Sequence, residues 1–223
     1  MDSAPVSEAG GAGAGVVGGR PPSGGTEAVA AGSGPYLRET VRTAVKILIV
    51  GHFAVGKTTY VGTLSEIRPL RTEERMTQAG AAVDDLAGIR DKTTTTVAMD
   101  FGRLTLSDDL VLYLFGAPGQ QRFTRLWNDL ARGALGALIL VDTARLAESF
   151  AVMDIVERQG LPYAVAVNRF DGSPEFPDAE VREALDLAPS TPLVSCDARD
   201  RASSTHALIA LVDHLLASGQ ETP

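Results

Sequence analysis

The sequence predicts an α/β fold in which a mostly parallel sheet carries helices on both faces. Short apolar segments alternate with helical patterns, and this alternation is typical of parallel strands joined by right-handed crossovers. Only the turn residues Ser107 and Asp108 separate the apolar segments 97–106 and 109–115, which predicts one antiparallel hairpin. We therefore expect a six-stranded sheet with one antiparallel edge strand and a binding site at the carboxyl ends of the parallel strands.

Residues 1–40 are predicted to be a disordered tail, and residues 41–223 to be a single domain. Gly, Ala, Ser and Pro dominate the tail, which cannot bury enough apolar surface to offset the entropy of ordering. The chain has 223 residues and is 44% hydrophobic, so the remainder is long enough to bury one substantial core.

Composition limits the classes of partner. The formal net charge of −8 disfavours a nucleic-acid-binding surface. Cys196 is the only cysteine, so an intramolecular disulfide is excluded and a reducing compartment is favoured.

No apolar run approaches the roughly 20 residues that a membrane-spanning helix needs, and the N-terminus lacks the pattern of a signal peptide. We expect a cytoplasmic protein without direct membrane insertion, which a partner recruits if it acts at a membrane.

Apolar periodicity and turn residues place the remaining elements. Residues 70–92 carry only a weak pattern, with a possible short helix at 83–89, and we interpret them as a long functional loop. The final helix, 205–217, should turn an apolar face inward, and that face comprises Leu208, Ile209, Leu211, Val212, Leu215 and Leu216. Other helices are predicted at 58–67, around 123–130, at 146–159 and at 177–187, and other strands at 45–50, 135–142, 163–167 and 193–195.

The segment GHFAVGKT at residues 51–58, called the phosphate loop below, has the spacing G-x-x-x-x-G-K-[ST] directly after the first predicted strand. Gly51 and Gly56 allow the backbone angles that turn successive N–H groups toward an anion. Lys57 supplies a positive charge for β- and γ-phosphates, and the Thr58 hydroxyl can bind Mg²⁺. The alternative is an ordinary strand-to-helix turn. The loop predicts a bound nucleoside triphosphate, and its other expected contacts are His52, Phe53, Ala54, Val55 and Thr59.

Five motifs occur in the order GHFAVGKT, TTTT, GAPGQ, NRFD and SCDA, and together they resemble the nucleotide motifs of Ras-like small GTPases. The resemblance runs from Val45 to the C-terminus and implies a P-loop NTPase of Ras-like fold that binds GTP or GDP with Mg²⁺. The segments GHFAVGKTT, TTTTVAMDFG and FGAPGQQRF are more similar still to the sequences of the conservon GTPases of actinobacteria, which are relatives of the MglA polarity GTPases. That subfamily implies two partners, a roadblock-fold protein and a sensor-kinase-like membrane protein.

The sequence NRFD at residues 168–171, called the base-reading motif below, follows a predicted strand. The Asp171 carboxylate can accept two hydrogen bonds from the N1–H and amino group of guanine, and adenine offers no such pair. The resemblance implies that Asn168 ties this motif to the phosphate loop. The stem of Arg169 would cover the base where the family usually has lysine, and the two are not automatically equivalent. An Asx-type turn is the alternative for the spacing.

The sequence SCDA at residues 195–198 matches the last motif of the family. The resemblance places backbone N–H groups of Cys196, Asp197 and Ala198 near the guanine oxygen, in this register or one residue away. Cys196 itself is expected to be a buried structural residue without special reactivity.

The second and third motifs would form the switch. Thr96 matches the threonine that reaches Mg²⁺ and the γ-phosphate, with Thr95 as the alternative one residue away. Gly119 would offer its N–H to the γ-phosphate, and Gln120 would orient the attacking water. Gly116 stands where the family has an Asp that holds Mg²⁺ through water, so this carboxylate is missing and metal affinity and rate are in question.

Two further features concern partners. Phe53 occupies a loop position that is often small, and there it would crowd the approach of an activating arginine; Arg90 or Lys92 could instead act in cis. The residues of the second switch are either core or partner surface, and they are Phe123, Leu126 and Trp127.

These observations predict a GTP-dependent switch with slow hydrolysis, in which Lys57 and Gln120 have the catalytic roles. A GTP-binding scaffold that does not hydrolyse is one alternative, motivated by Gly116. An ATP-using P-loop kinase or ATPase is the other.

Overall fold

The computed structural model of the chain describes residues 37, 39–77, 94–118 and 124–220. All of them lie in the unit that runs from Ser33 to Pro223. The tail up to residue 36, the predicted helix at 83–89, and both Arg90 and Lys92 lie outside the described residues. The elements, in chain order, are β1 (Thr43–Val50), α1 (Lys57–Leu64), β2 (Leu70–Thr77), β3 (Thr94–Thr105), β4 (Leu110–Gly116), α2 (Thr124–Ala131), β5 (Gly136–Val141), a 3-10 helix (Thr143–Ser149), α3 (Phe150–Arg158), β6 (Tyr163–Asn168), α4 (Asp178–Ala184), β7 (Leu193–Cys196) and α5 (Arg201–Gln220).

The strands form one sheet in the order β2-β3-β4-β1-β5-β6-β7. β1 pairs in parallel with β4 and β5, and β6 and β7 extend the parallel part. β3 is antiparallel to both β2 and β4. The predicted α/β class, with a mostly parallel sheet and one antiparallel strand, is confirmed.

Two details of the predicted sheet are corrected by the structure. Leu70–Thr77, where we expected a loop, forms β2, so the described residues contain seven strands rather than six. β2 is therefore the edge strand, and the antiparallel strand β3 has a neighbour on each side. LRTEERMT lacks the apolar alternation that predicts a strand, and charged residues are common on edge strands.

Apolar side chains from β1 enter two separate core clusters, as expected for a strand buried on both faces. Ile47 and Ile49 join a cluster with buried residues of α1 and α5. Leu48 and Val50 join a cluster with buried residues of α2, α3 and α4. Because successive side chains of a strand point to opposite faces, helices cover both faces of the sheet, as predicted.

Two helical predictions need adjustment, and for Trp127 the structure decides between the two interpretations that the sequence left open. In α5, Leu208 and Leu211 are buried, but Ile209 and Leu216 are exposed, because the six apolar positions extend over a wider arc than the buried face. The helix predicted at 146–159 is a 3-10 helix followed by α3. In α2, Trp127 is only 1% exposed and packs in the core, so the core interpretation applies to this residue. Across the described ranges, no helix combines the length and apolarity needed to cross a bilayer.

Candidate functional site

The phosphate loop leaves the buried end of β1 and enters α1 through a backbone that requires its glycines. Gly51 has φ +145°, and a Cβ added there would lie 2.4 Å from the Leu140 carbonyl oxygen. Gly56 has φ +104°, and its added Cβ would lie 2.5 Å from Nδ2 of Asn168. Ala54 also has a positive φ, of 63°, so the loop between the two glycines is tightly wound. The turn needs glycine at the two positions that the motif specifies.

The side chain of Lys57 folds back over the phosphate loop. Its Nζ donates to the carbonyl oxygens of Gly51, at 2.9 Å, and of His52, at 2.7 Å. Burial lowers the pKa of Lys57 from 10.5 to about 8, and the nearby Asp100 carboxylate partly opposes this shift. An anion in the loop would stabilise the charged ammonium and raise its pKa again. The partly desolvated Lys57 is therefore suited to a phosphate ligand.

A carboxylate from the neighbouring strand lies beside both Gly116 and Thr58. The Thr58 hydroxyl donates to Oδ2 of Asp100, 2.5 Å away, and Asp100 is buried in β3. Asp100 is paired with Gly116 in the β3–β4 register. A Cβ added at Gly116 would lie 3.1 Å from Asp100 Cβ and 3.3 Å from its Oδ2. Gly116 thus makes room for Asp100 beside Thr58.

Asp100 lies outside the five motifs, so their spacing does not predict its place beside Thr58, although one signal is present in the sequence. Asp100 is the only acidic residue in the predicted strand 97–106. A carboxylate in such a strand has to find a partner in the fold, because burying an unpaired charge is costly.

Oxygen ligands fit the metal that the resemblance implies. The Thr58 hydroxyl and the Asp100 carboxylate lie side by side next to Lys57. Mg²⁺ prefers oxygen ligands and usually keeps several waters, so a hydroxyl ligand and a carboxylate that binds a metal-held water suit this ion.

Asn168 joins three of the predicted motifs. It is buried at the end of β6, where its Nδ2 donates to the Val55 carbonyl oxygen at 2.9 Å. Its Oδ1 accepts from the Ala198 backbone N–H, also at 2.9 Å. The expected tie between the base-reading motif and the phosphate loop is present, and the same side chain adds the last motif.

The base-reading carboxylate is solvent-exposed but not free. The Asp171 side chain is 89% exposed, and both of its oxygens accept from the Arg199 guanidinium at 3.3 Å. Arg199 also donates through Nε and Nη2 to the Asp197 carboxylate, at 2.9 and 3.0 Å. Arg169 and Phe170 are exposed beside Asp171. Arg199 occupies none of the five motifs, so their spacing does not predict its contact with Asp171.

The last motif is anchored within the protein. Cys196 is buried, and burial raises the pKa of its thiol to about 11, which agrees with a structural role. The Asp197 N–H donates to Ser203 Oγ at 2.9 Å, and the Ala198 N–H donates to Asn168. Contact of these N–H groups with a guanine oxygen stays a prediction, and it requires them to exchange or share these partners.

The remaining predicted site residues are less completely defined. Thr95 and Thr96 lie in β3, and only their backbone is described, whereas Gly119, Gln120 and Phe123 lie outside the described residues.

In the phosphate loop, Phe53 is 70% exposed, as its predicted effect on an approaching arginine requires. His52 is buried, with Nδ1 2.7 Å from the Phe53 carbonyl oxygen and 3.5 Å from a Glu148 carboxylate oxygen. Thr59 and Ala54 are exposed, and Val55 is buried.

Known proteins share this fold at low sequence identity. The structure resembles the FeoB G-domain from Methanococcus jannaschii with a TM-score of 0.50 at 12% identity, covering 78% of this chain and 99% of that one. This likeness shows a P-loop G-domain fold. No curated protein matches the sequence. A family model described as "conserved hypothetical ATP binding protein" matches residues 49–218, which is more than half of the chain. The chain therefore belongs to this family of conserved hypothetical ATP binding proteins.

Proposed function

We propose that the protein is a guanine-nucleotide-dependent molecular switch that binds GTP with Mg²⁺ and hydrolyses it slowly to GDP and phosphate. The observation that carries the proposal is the bridge through Asn168, which joins the phosphate loop to the base-reading motif. A triphosphate seated on Lys57 would thereby have its base directed toward Asp171. Phosphate binding and base selection would act on one ligand.

Selection of guanine is proposed on the chemistry of Asp171, against the ATP in the family description. The carboxylate is an acceptor of two hydrogen bonds at the open edge of the site. Guanine presents two donors in the matching geometry, and adenine presents no such pair. An ATP-using P-loop kinase or ATPase remains the competing function, and it would leave Asp171 without a base contact.

For the metal and the switch, we propose distinct roles for residues of three segments. Thr58 would hold Mg²⁺ directly and Asp100 through water, and when bound the ion neutralises charge on the β- and γ-phosphates. Thr96, near the start of β3, and Gly119 would contact the γ-phosphate, so that the segments that carry them order with GTP and relax after hydrolysis. Gln120 would orient the attacking water. Turnover should be slow, on the order of 10⁻⁴ to 10⁻² per second, unless an arginine is supplied.

A GTP-binding scaffold without turnover was motivated by the missing carboxylate at Gly116. The contact between Asp100 and Thr58 reduces that motive, because it puts a carboxylate beside the residue that we propose as the Mg²⁺ ligand. Single-turnover phosphate release, with Gln120→Leu as the inactive control, separates the two functions. Release that is equally slow in both proteins would favour the scaffold.

Membership of a signalling system is proposed from the resemblance to the conservon and MglA-type GTPases alone. We propose that the protein works in the cytoplasm and that its switch regions bind a roadblock-fold protein. A sensor-kinase-like membrane protein would recruit it to the membrane.

The proposal is tested by exchanging the base-reading carboxylate for an amide. Asp171→Asn should weaken GTP binding about 10- to 100-fold and favour xanthosine triphosphate, whose base offers an acceptor where guanine has an amino group. Asp213→Asn, an exposed substitution in α5, is the matched control. Lys57→Ala should abolish binding of every nucleotide. Unchanged GTP affinity in Asp171→Asn, or tight binding in Lys57→Ala, would contradict the proposal.

A further inference from the structure

Arg199 binds two carboxylates at once, and one of them is the predicted base contact. Its guanidinium donates from Nη1 and Nη2 to the two oxygens of Asp171. Its Nε and Nη2 donate to the two oxygens of Asp197. Asp171 lies just after β6 and Asp197 just after β7, so Arg199 links two adjacent loops at the carboxyl edge of the sheet. Both contacts are paired, fork-to-fork arrangements.

Guanine would need the same two oxygens of Asp171. The N1–H and amino group of guanine form a pair of donors with the geometry of a guanidinium edge. The two Asp171 oxygens therefore cannot make this paired contact with guanine and with Arg199 at the same time. We propose that Arg199 is a latch on the base-reading carboxylate, which holds Asp171 in the nucleotide-free protein and is displaced when guanine binds. This inference rests on the proposed function.

The distances indicate how the latch would open. Arg199 lies 2.9 and 3.0 Å from the Asp197 oxygens but 3.3 Å from both Asp171 oxygens. The Arg199 backbone N–H also donates to Asp197, at 2.9 Å. Since the bonds to Asp197 are shorter and more numerous, Arg199 would stay on Asp197 while it leaves Asp171. The latch would then close again as the base departs.

The latch predicts a small effect on nucleotide affinity that depends on salt and on which base is bound. Exposed ion pairs of this kind change an equilibrium by about two- to fivefold, and salt screens them. Competition from Arg199 should therefore lower GDP affinity by about that factor and speed GDP release. A nucleotide that does not bond Asp171, such as ATP, has no latch to displace, so its affinity should not depend on Arg199.

Arg199→Lys is the decisive variant, because lysine keeps the charge and the aliphatic stem but has no fork. Arg199→Ala is the second variant. Arg158→Lys on α3 is the control, because Arg158 forms an exposed ion pair with Asp154 on the same helix, outside the base-reading motif and the last motif. Fluorescent GDP binding and dissociation are measured for each full-length protein at low and high salt. We expect Arg199→Lys to bind GDP about two- to fivefold more tightly and to release it more slowly, with a smaller difference at high salt. The gain should disappear in the Asp171→Asn background assayed with fluorescent xanthosine diphosphate.

Unchanged or weaker GDP binding in both Arg199 variants would overturn the latch, since Arg199 would then not compete with the base. Failure of the latch and failure of the proposed function are distinguishable. If only the latch fails, Asp171→Asn still shifts the protein toward xanthine nucleotides. If the proposed function fails, neither the wild type nor any variant prefers a guanine nucleotide.

Discussion

Replacing Asp100 by asparagine tests whether this residue takes over the role of the carboxylate missing at Gly116. Asp100 accepts the hydroxyl hydrogen of Thr58 at 2.5 Å from a buried position. A hydrogen bond to a charged group contributes about 1.5 to 3 kcal/mol, which corresponds to roughly 10- to 150-fold in the equilibrium that positions Thr58. Loss of a residue that orients a metal ligand typically weakens metal affinity about 10- to 100-fold. We therefore expect Asp100→Asn to weaken Mg²⁺-dependent GDP retention by about 10- to 100-fold.

The assay is a Mg²⁺ titration of fluorescent GDP release. Asp109→Asn, the same chemical change at the far end of the β3–β4 hairpin, is the control. Gly116→Asp should also weaken retention, because its Cβ would lie 3.1 Å from Asp100 Cβ. The double variant Asp100→Gly/Gly116→Asp returns the carboxylate to β4 and should regain part of the loss. A normal Mg²⁺ requirement in Asp100→Asn would refute the reasoning.

Three further predictions concern the phosphate loop and its anchor. From pH 8 to pH 9, the unfolding free energy of the nucleotide-free protein should rise by about 1 kcal/mol because of Lys57. The pKa of Lys57 is about 8 in the folded protein and 10.5 in the unfolded chain, so in this pH range the unfolded chain binds more protons and stability increases with pH. Urea denaturation at both pH values should show this gain for the wild type and not for Lys57→Met. Gly56→Ala should lower stability by more than Gly160→Ala. Both glycines have a positive φ, which costs alanine about 1–2 kcal/mol, but only at Gly56 would the new methyl group also meet a neighbouring side chain. Equal midpoints of denaturant unfolding for the two variants would argue against this. Asn168→Ala should cost about 2–4 kcal/mol of stability through two lost buried hydrogen bonds and weaken nucleotide binding, and a thermal melt with a binding titration checks both effects.

Local signals in the sequence predicted much of the fold and part of the site. The apolar run of β1, the glycines of the phosphate loop and the turn between β3 and β4 each depend on neighbouring residues, and each is found where it was expected. Asn168 was placed correctly because its motif has a fixed spacing and directly follows a strand.

The features that were missed depend on partners distant in the chain. Asp100 meets Thr58 across 42 residues, and only the β3–β4 register places it opposite Gly116. Arg199 meets Asp171 across 28 residues, because the ends of β6 and β7 are adjacent. β2 was missed for a different reason, since an edge strand needs no apolar face and its charged sequence resembles a loop.

The most direct test of the central claim is competition of GTP, GDP and ATP for the full-length protein, with and without Mg²⁺, followed with a fluorescent guanine nucleotide. If Asp171 selects the base, guanine nucleotides should bind at least about 100-fold more tightly than ATP, and Mg²⁺ should strengthen their binding. Displacement by ATP at concentrations equal to or lower than those of GTP would contradict the claim and favour an ATP-dependent function.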